Sequence, residues 1–184
     1  MKPGELAVEH RFADLPGLRM HYVEAGKGPS VLLLHGFPET CWSWRYQIEP
    51  LVRAGFRVIA PDLRGYGETG KEGPYDLDTI AGDVEGLLAH LGEQEPVRVV
   101  GHDWGGALAW HLAATRPALC ERLVVLNCPH PTMIVKAFRT RWRQVARSWY
   151  MFFFLVPSWP ERFLTADGAV NIVRMIKGSA IDRR

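Results

Sequence analysis

Four short apolar runs, each cut off by a turn-forming residue, constrain this chain more than any other feature. Val31-Leu32-Leu33-Leu34 runs into His35-Gly36, and Phe56-Arg57-Val58-Ile59-Ala60 into Pro61-Asp62. Val97-Arg98-Val99-Val100 stops at Gly101, and Leu123-Val124-Val125-Leu126 stops at Asn127. Runs this short, rich in Val and Leu and apolar at nearly every step, have the pattern of strands buried on both faces of a parallel sheet.

Parallel neighbours need crossover connections, and helical periods fill the gaps. Asp78 is placed to cap a helix with Ile80, Val84, Leu87, Leu88 and Leu91 on one face and Gly92 as its stop. Residues 105–116 are rich in Ala and Leu and are closed by Pro117. Upstream, residues 5–12 and 18–23 have the character of an antiparallel hairpin on the edge of the sheet. The alternation predicts an α/β fold, a mostly parallel sheet flanked by helices.

After Pro129-His130-Pro131 the pattern changes, which predicts a boundary between residues 1–130 and residues 131–184. Phe138, Trp142, Val145, Trp149 and Phe152 recur at intervals of 4, 3, 4 and 3, one face of a long helix. Lys136, Arg139, Arg141, Arg143 and Arg147 occupy the rest, as expected of a solvated face. Further helical stretches follow Pro160 and cover residues 169–176, and no strand pattern returns.

Composition excludes several classes of function. The chain has 184 residues, 22 basic and 20 acidic, so its formal charge of +2 is too small an excess to track a nucleic-acid backbone. A hydrophobic share of 47% and a charged share of 23% are those of a globular domain, not of a disordered tail. Three cysteines, Cys41, Cys120 and Cys128, form no C-x-x-C and suit a reducing, intracellular compartment. No signal-like stretch opens the chain, and the apolar run 149–157 is far shorter than the roughly 20 residues of a membrane span. A cytoplasmic protein is expected. Seven Trp and eight Phe suggest a lined cavity as well as a core. The seven histidines lack metal-ligand spacing, so no metal or organic cofactor is expected.

The chemistry is carried by Gly101-His102-Asp103-Trp104-Gly105-Gly106, which follows a buried strand and opens a small-residue helix. That is the context of a nucleophile elbow, with Asp in the place where Ser is usual. The glycines let helix and strand pass close together, while the turn pushes the Asp103 side chain above the sheet. Backbone N–H groups and the positive dipole end of the helix favour a carboxylate there. A carboxylate attacks an sp3 carbon bearing a leaving group and gives an alkyl ester. Hydrolysing that ester needs an oxyanion hole, for which the N–H groups of Trp104 and of Phe37, in His35-Gly36-Phe37-Pro38, are placed by sequence. His35 belongs to the loop that shapes this hole, and His102 is expected to point away from the nucleophile. Gly65-Tyr66-Gly67-Glu68-Thr69-Gly70 matches G-x-G-x-x-G, but Lys71-Glu72-Gly73-Pro74 follows where a dinucleotide site needs a helix, so a loop is expected.

These residues resemble the α/β-hydrolase superfamily and, within it, the epoxide hydrolases. The resemblance includes His35-Gly36-Phe37-Pro38-Glu39, Trp42-Ser43-Trp44-Arg45, Pro61-Asp62-Leu63-Arg64-Gly65-Tyr66-Gly67, the elbow, and Asn127-Cys128-Pro129-His130-Pro131. It implies an α/β-hydrolase core over residues 1–130, incomplete, with a partial helical cap over residues 131–184. It also implies a small-molecule epoxide as substrate, opened by Asp103 through an alkyl-enzyme ester to give a diol. Ser148-Trp149-Tyr150-Met151-Phe152 resembles the cap segment that carries a ring-opening tyrosine, so the resemblance assigns that role to Tyr150.

The family also uses a late His that activates water, an Asp or Glu that orients it, and a second cap Tyr. None has a matching position among these residues, and Asn127 stands where some relatives put the acid. Two expectations follow: these residues are a fragment, the N-terminal part of a longer epoxide hydrolase, or a naturally short chain, for which a half-reaction is expected, with an ester that persists. Haloalkane dehalogenation is the alternative chemistry, in which the Trp104 indole would hold the halide. Phe37 cannot supply the second donor those enzymes use. A non-catalytic remnant is the other alternative, since the strand 123–126 would present an uncovered apolar edge open to self-association.

Overall fold

In a computed structural model, the structure describes residues 8–140 and, beyond them, residues 156, 159–160, 162–165, 170 and 173. The chain divides into two compact units, Met1–His130 and Pro131–Arg184. In the first, six strands form one sheet: β1 (Glu9–Leu15), β2 (Leu18–Ala25), β3 (Ser30–Leu34), β4 (Arg57–Pro61), β5 (Val97–His102) and β6 (Cys120–Leu126). Their spatial order is β1-β2-β4-β3-β5-β6. β1, β2 and β4 pair antiparallel, and β4, β3, β5 and β6 pair parallel. All four apolar runs thus form the parallel part of the sheet.

The helices follow the crossovers: α1 (Arg45–Arg53), α2 (Leu77–His90) and α3 (Trp104–Thr115). Both faces of the central strands are covered, and the period of two shows which side chain goes where. Leu32, Leu34, Ile59, Val97 and Val99 join Val84, Leu87, Leu108 and Leu112 of α2 and α3 in one core. Val31, Leu33, Val58 and Ala60 face the other way and join Trp44 and Ile48. Every residue of β3 is buried, and each such Leu contributes about 1.5–3 kcal/mol.

Some boundaries differ from the sequence reading. The hairpin lies on the sheet edge as expected, but it pairs Leu15 with Leu18 across a Pro16-Gly17 turn, with Gly17 at φ 72°. Residues 5–7 lie outside the described residues. The cap of α2 is Asp76, not Asp78: its carboxylate accepts from the Thr79 N–H at 2.9 Å and from the Thr79 hydroxyl at 2.8 Å. Asp78 falls in the first turn and pairs instead with His111 Nε2 at 2.8 Å. Helix α1 was not expected, because Pro50 lies inside it and reads as a breaker. The segment 65–70 is the expected loop, closed by the Gly65 N–H on the Gly70 carbonyl at 3.0 Å.

In the second unit, α4 spans Pro131–Thr140 and starts on a proline, which suits the first position of a helix. Most of the amphipathic face 138–152 lies outside the described residues. No helix among the described residues is long and apolar enough to cross a membrane.

The strand order positions the site. After β3 the chain moves to β4 on one side, whereas after β5 it moves to β6 on the other. The loops leaving the adjacent strands β3 and β5 therefore part, and a crevice opens at their carboxyl ends.

Candidate active site

Asp103 sits at that end of the sheet, between β5 and α3, with φ 51° and ψ −116°. A non-glycine residue with positive φ stores about 1–3 kcal/mol of strain, so the surroundings must hold it. They do so through the Asp103 N–H, which donates to the Leu126 carbonyl of β6 at 3.1 Å, and the Asp103 carbonyl, which accepts from Ala107 at 3.0 Å. The turn is thus pinned to the neighbouring strand on one side and to α3 on the other.

The loop after β3 meets the carboxylate directly. The Phe37 N–H donates to Asp103 Oδ1 at 3.1 Å, a hydrogen bond strengthened by the ionic acceptor. A Cβ on Gly36 would lie 2.6 Å from Asp103 Cβ and 2.8 Å from Oδ1, so only glycine admits the carboxylate here. Gly105 is equally constrained, since its Cβ would meet the Leu34 carbonyl oxygen at 2.2 Å. Gly101 and Gly106 mediate further close approaches, to Gly105 and to Cys128. Pro38 follows a cis peptide bond. Trp104 is the first residue of α3, so its N–H has no acceptor within the helix, and its side chain is 60% exposed.

Two histidines brace the loops. His35 is fully buried; its Nδ1 donates to the Gly36 carbonyl at 2.9 Å and its Nε2 accepts from the Leu63 N–H at 3.0 Å. A neutral ring protonated on Nδ1 satisfies both bonds, and burial holds the imidazole below its ordinary value of 6.5. His102 lies between Glu39 Oε2, 3.2 Å from Nδ1, and Asn127 Nδ2, 3.2 Å from Nε2. Glu39 also accepts from the Gly36 N–H at 3.2 Å. One carboxylate thereby joins the loop after β3 to the strand that leads into Asp103.

The structure therefore brings together Asp103, Phe37, Trp104, His35, Gly36, Pro38, Gly101, His102, Gly105 and Gly106. Tyr150 lies outside the described residues. Two neighbours went unnoticed in the sequence. Burial and, second to it, the negative charge of Asp103 raise the Tyr66 phenol and the Cys128 thiol above their ordinary values. Tyr66 also packs edge-on against His35, with ring centroids 5.0 Å apart. Both residues fall within runs that carry the family resemblance, but only the fold sets them near the carboxylate. Two cavities among the described residues, of about 420 and 200 Å3, are lined by other residues.

A strand-to-helix turn bearing a strained acid, beside a loop that donates a backbone N–H to it, has the form of a hydrolase elbow. The family model for the alpha/beta hydrolase fold matches residues 29–172, and the chain belongs to that family. Its relatives within that family include proteins named as epoxide hydrolases. The chain is 44% identical over 176 residues to the AB hydrolase superfamily protein YfhM of Bacillus subtilis, covering 90% of this chain and 61% of that one. It is 43% identical over 152 residues to human Epoxide hydrolase 4, covering 79% of this chain and 41% of that one. Among solved structures, epoxide hydrolase A from Mycobacterium thermoresistibile matches with a TM-score of 0.80 and 34% identity, over 96% of this chain and 57% of that one. Epoxide hydrolase VrEH1 from Vigna radiata matches with a TM-score of 0.78 and 32% identity, over 96% of this chain and 62% of that one. The chain thus spans 41–62% of the length of these relatives.

Proposed function

We propose that Asp103 opens an epoxide ring and becomes esterified in doing so. The observation that carries this reading is the Phe37 N–H held 3.1 Å from Asp103 Oδ1. One oxygen is thereby anchored where an oxyanion will form, and the other is left as the nucleophile. Its lone pair forms a bond to a ring carbon as the carbon–oxygen bond of the epoxide breaks, and the resulting alkoxide takes a proton. Tyr150 is the residue proposed to supply that proton.

The ester carbonyl oxygen then occupies the position of Oδ1, facing the N–H groups of Phe37 and Trp104. Addition of water to the carbonyl carbon would gather charge on that oxygen, which the two donors stabilise. Collapse would release the diol and restore the carboxylate. Neither His35 nor His102 is proposed to activate the water, because both nitrogens of each ring are engaged in bracing hydrogen bonds. The residues of this chain supply the first half of the reaction, and the ester is expected to accumulate.

Intact-mass measurement after incubation with styrene oxide tests this. The expected result is a gain of one epoxide mass per chain, absent from Asp103→Asn. Continuous release of diol with no adduct would mean that another group here acts as the base, and would overturn the half-reaction.

A further inference from the structure

Away from the candidate active site, a chain of polar side chains ties the β1–β2 hairpin to the loop after β4. The pairing of His10 with Val23 and of Phe12 with His21 puts the two histidines diagonally on one face of the hairpin. His21 is 1% exposed, and its Nδ1 lies 2.8 Å from Asp62 Oδ2. Asp62 is itself buried, and its other contacts are the Cys41 N–H, which donates to Oδ1 at 2.7 Å, and the Glu68 N–H, which donates to Oδ2 at 3.1 Å. With Asp62 accepting from Nδ1, the Nε2 lone pair of His21 is left on the side of His10. That lone pair faces His10 Nδ1 at 3.0 Å.

We propose that His10, His21 and Glu68 form a binding site for a zinc ion, with Asp62 orienting His21 from behind. One ligand atom from each of the three lies within 4.8 Å of the others. Tetrahedral zinc, with bonds of about 2.0–2.2 Å, wants ligand atoms about 3.4 Å apart, so modest rotations of the two exposed side chains, His10 and Glu68, close the set. A carboxylate behind a ligating imidazole fixes its tautomer and raises its basicity, and that support is built here before any ion arrives. Two imidazoles and one carboxylate favour a borderline cation such as zinc over magnesium or calcium, which prefer all-oxygen sites. Cys41 also lies beside Asp62 and His21. The ion would clip β1 and β2 to the loop 62–70 and would have no part in the chemistry proposed for Asp103.

The test is zinc competition between the metal-stripped chain and a chromophoric chelator, combined with thermal melting. The expected result is uptake of one zinc per chain with a raised Tm, and at least tenfold weaker uptake in His10→Ala and in Glu68→Gln. Both positions are exposed, so the variants should retain the wild-type circular dichroism. No uptake by the wild-type chain, uptake unchanged in both variants, or equal affinity for calcium would overturn the proposal.

Discussion

A tight steric constraint in the elbow, at Gly101, predicts the cost of adding one methyl group. A Cβ at position 101 would lie 2.2 Å from the Gly105 carbonyl oxygen, 2.6 Å from its carbon and 2.8 Å from Ala109 Cβ. Ordinary contact begins at 3.4 Å, so β5 and α3 would have to separate by about an ångström. Two of the three neighbours are backbone atoms in a paired helix and cannot rotate away. Overpacking usually costs 1–3 kcal/mol, and a clash against fixed backbone puts Gly101→Ala at about 3 kcal/mol. In a chain of this length that lowers Tm by roughly 6–12 °C. The control is Gly82→Ala in α2, where nothing lies within 4 Å and a stabilisation of about 0.5–1 kcal/mol is expected. Urea and thermal unfolding followed by circular dichroism would measure both. A Gly101→Ala chain within 1 kcal/mol of wild type would refute the claim that close strand–helix contact holds the strained turn.

Other outcomes follow from the same geometry. Gly36→Ala places a methyl group 2.8 Å from Asp103 Oδ1; ester formation with an epoxide should slow at least tenfold, about 1.4 kcal/mol, and an unchanged single-turnover rate would contradict the seating of that oxygen. His35 is held below 6.5 by burial, so the unfolded chain binds a proton that the folded chain refuses. His35 therefore adds stability that is fully present above pH 6.5 and is lost as pH falls from 6.5 toward the folded value. Nitrogen NMR should show a neutral Nδ1–H ring at pH 6, and titration at or above 6.5 would sink this. Val124 and Leu126 are 50% and 42% exposed on β6, the terminal strand of the described sheet. Sedimentation should show self-association at tens of micromolar that Val124→Lys weakens, whereas a monomer at all concentrations would contradict it.

Much of the core was legible because strands buried on both faces leave a plain mark. Every residue of Val31-Leu32-Leu33-Leu34 is apolar, and every one is buried. The elbow was legible for a related reason: close approach admits only small residues, and glycines flank Asp103 on both sides. What stayed hidden depends on contacts between distant segments. Pro50 masked α1, and Asp76 outcompeted Asp78 as the cap because its carboxylate reaches both donors of Thr79. The bridge from Glu39 through His102 to Asn127 joins residues more than 20 positions apart. Such spacing has no local signature, and the same holds for His10, His21 and Glu68.

Epoxides also alkylate thiols and imidazoles, so the identity of the modified atom matters more than the presence of an adduct. Cys120 and Cys128 are half-buried free thiols, and His102 and His111 lie near in sequence. Peptide fragmentation of the styrene oxide-treated chain separates these outcomes. The account predicts a single modification on Asp103, removed by hydroxylamine as an ester should be and missing from Asp103→Asn. Modification confined to cysteine or histidine, at equal levels in that variant, would contradict it.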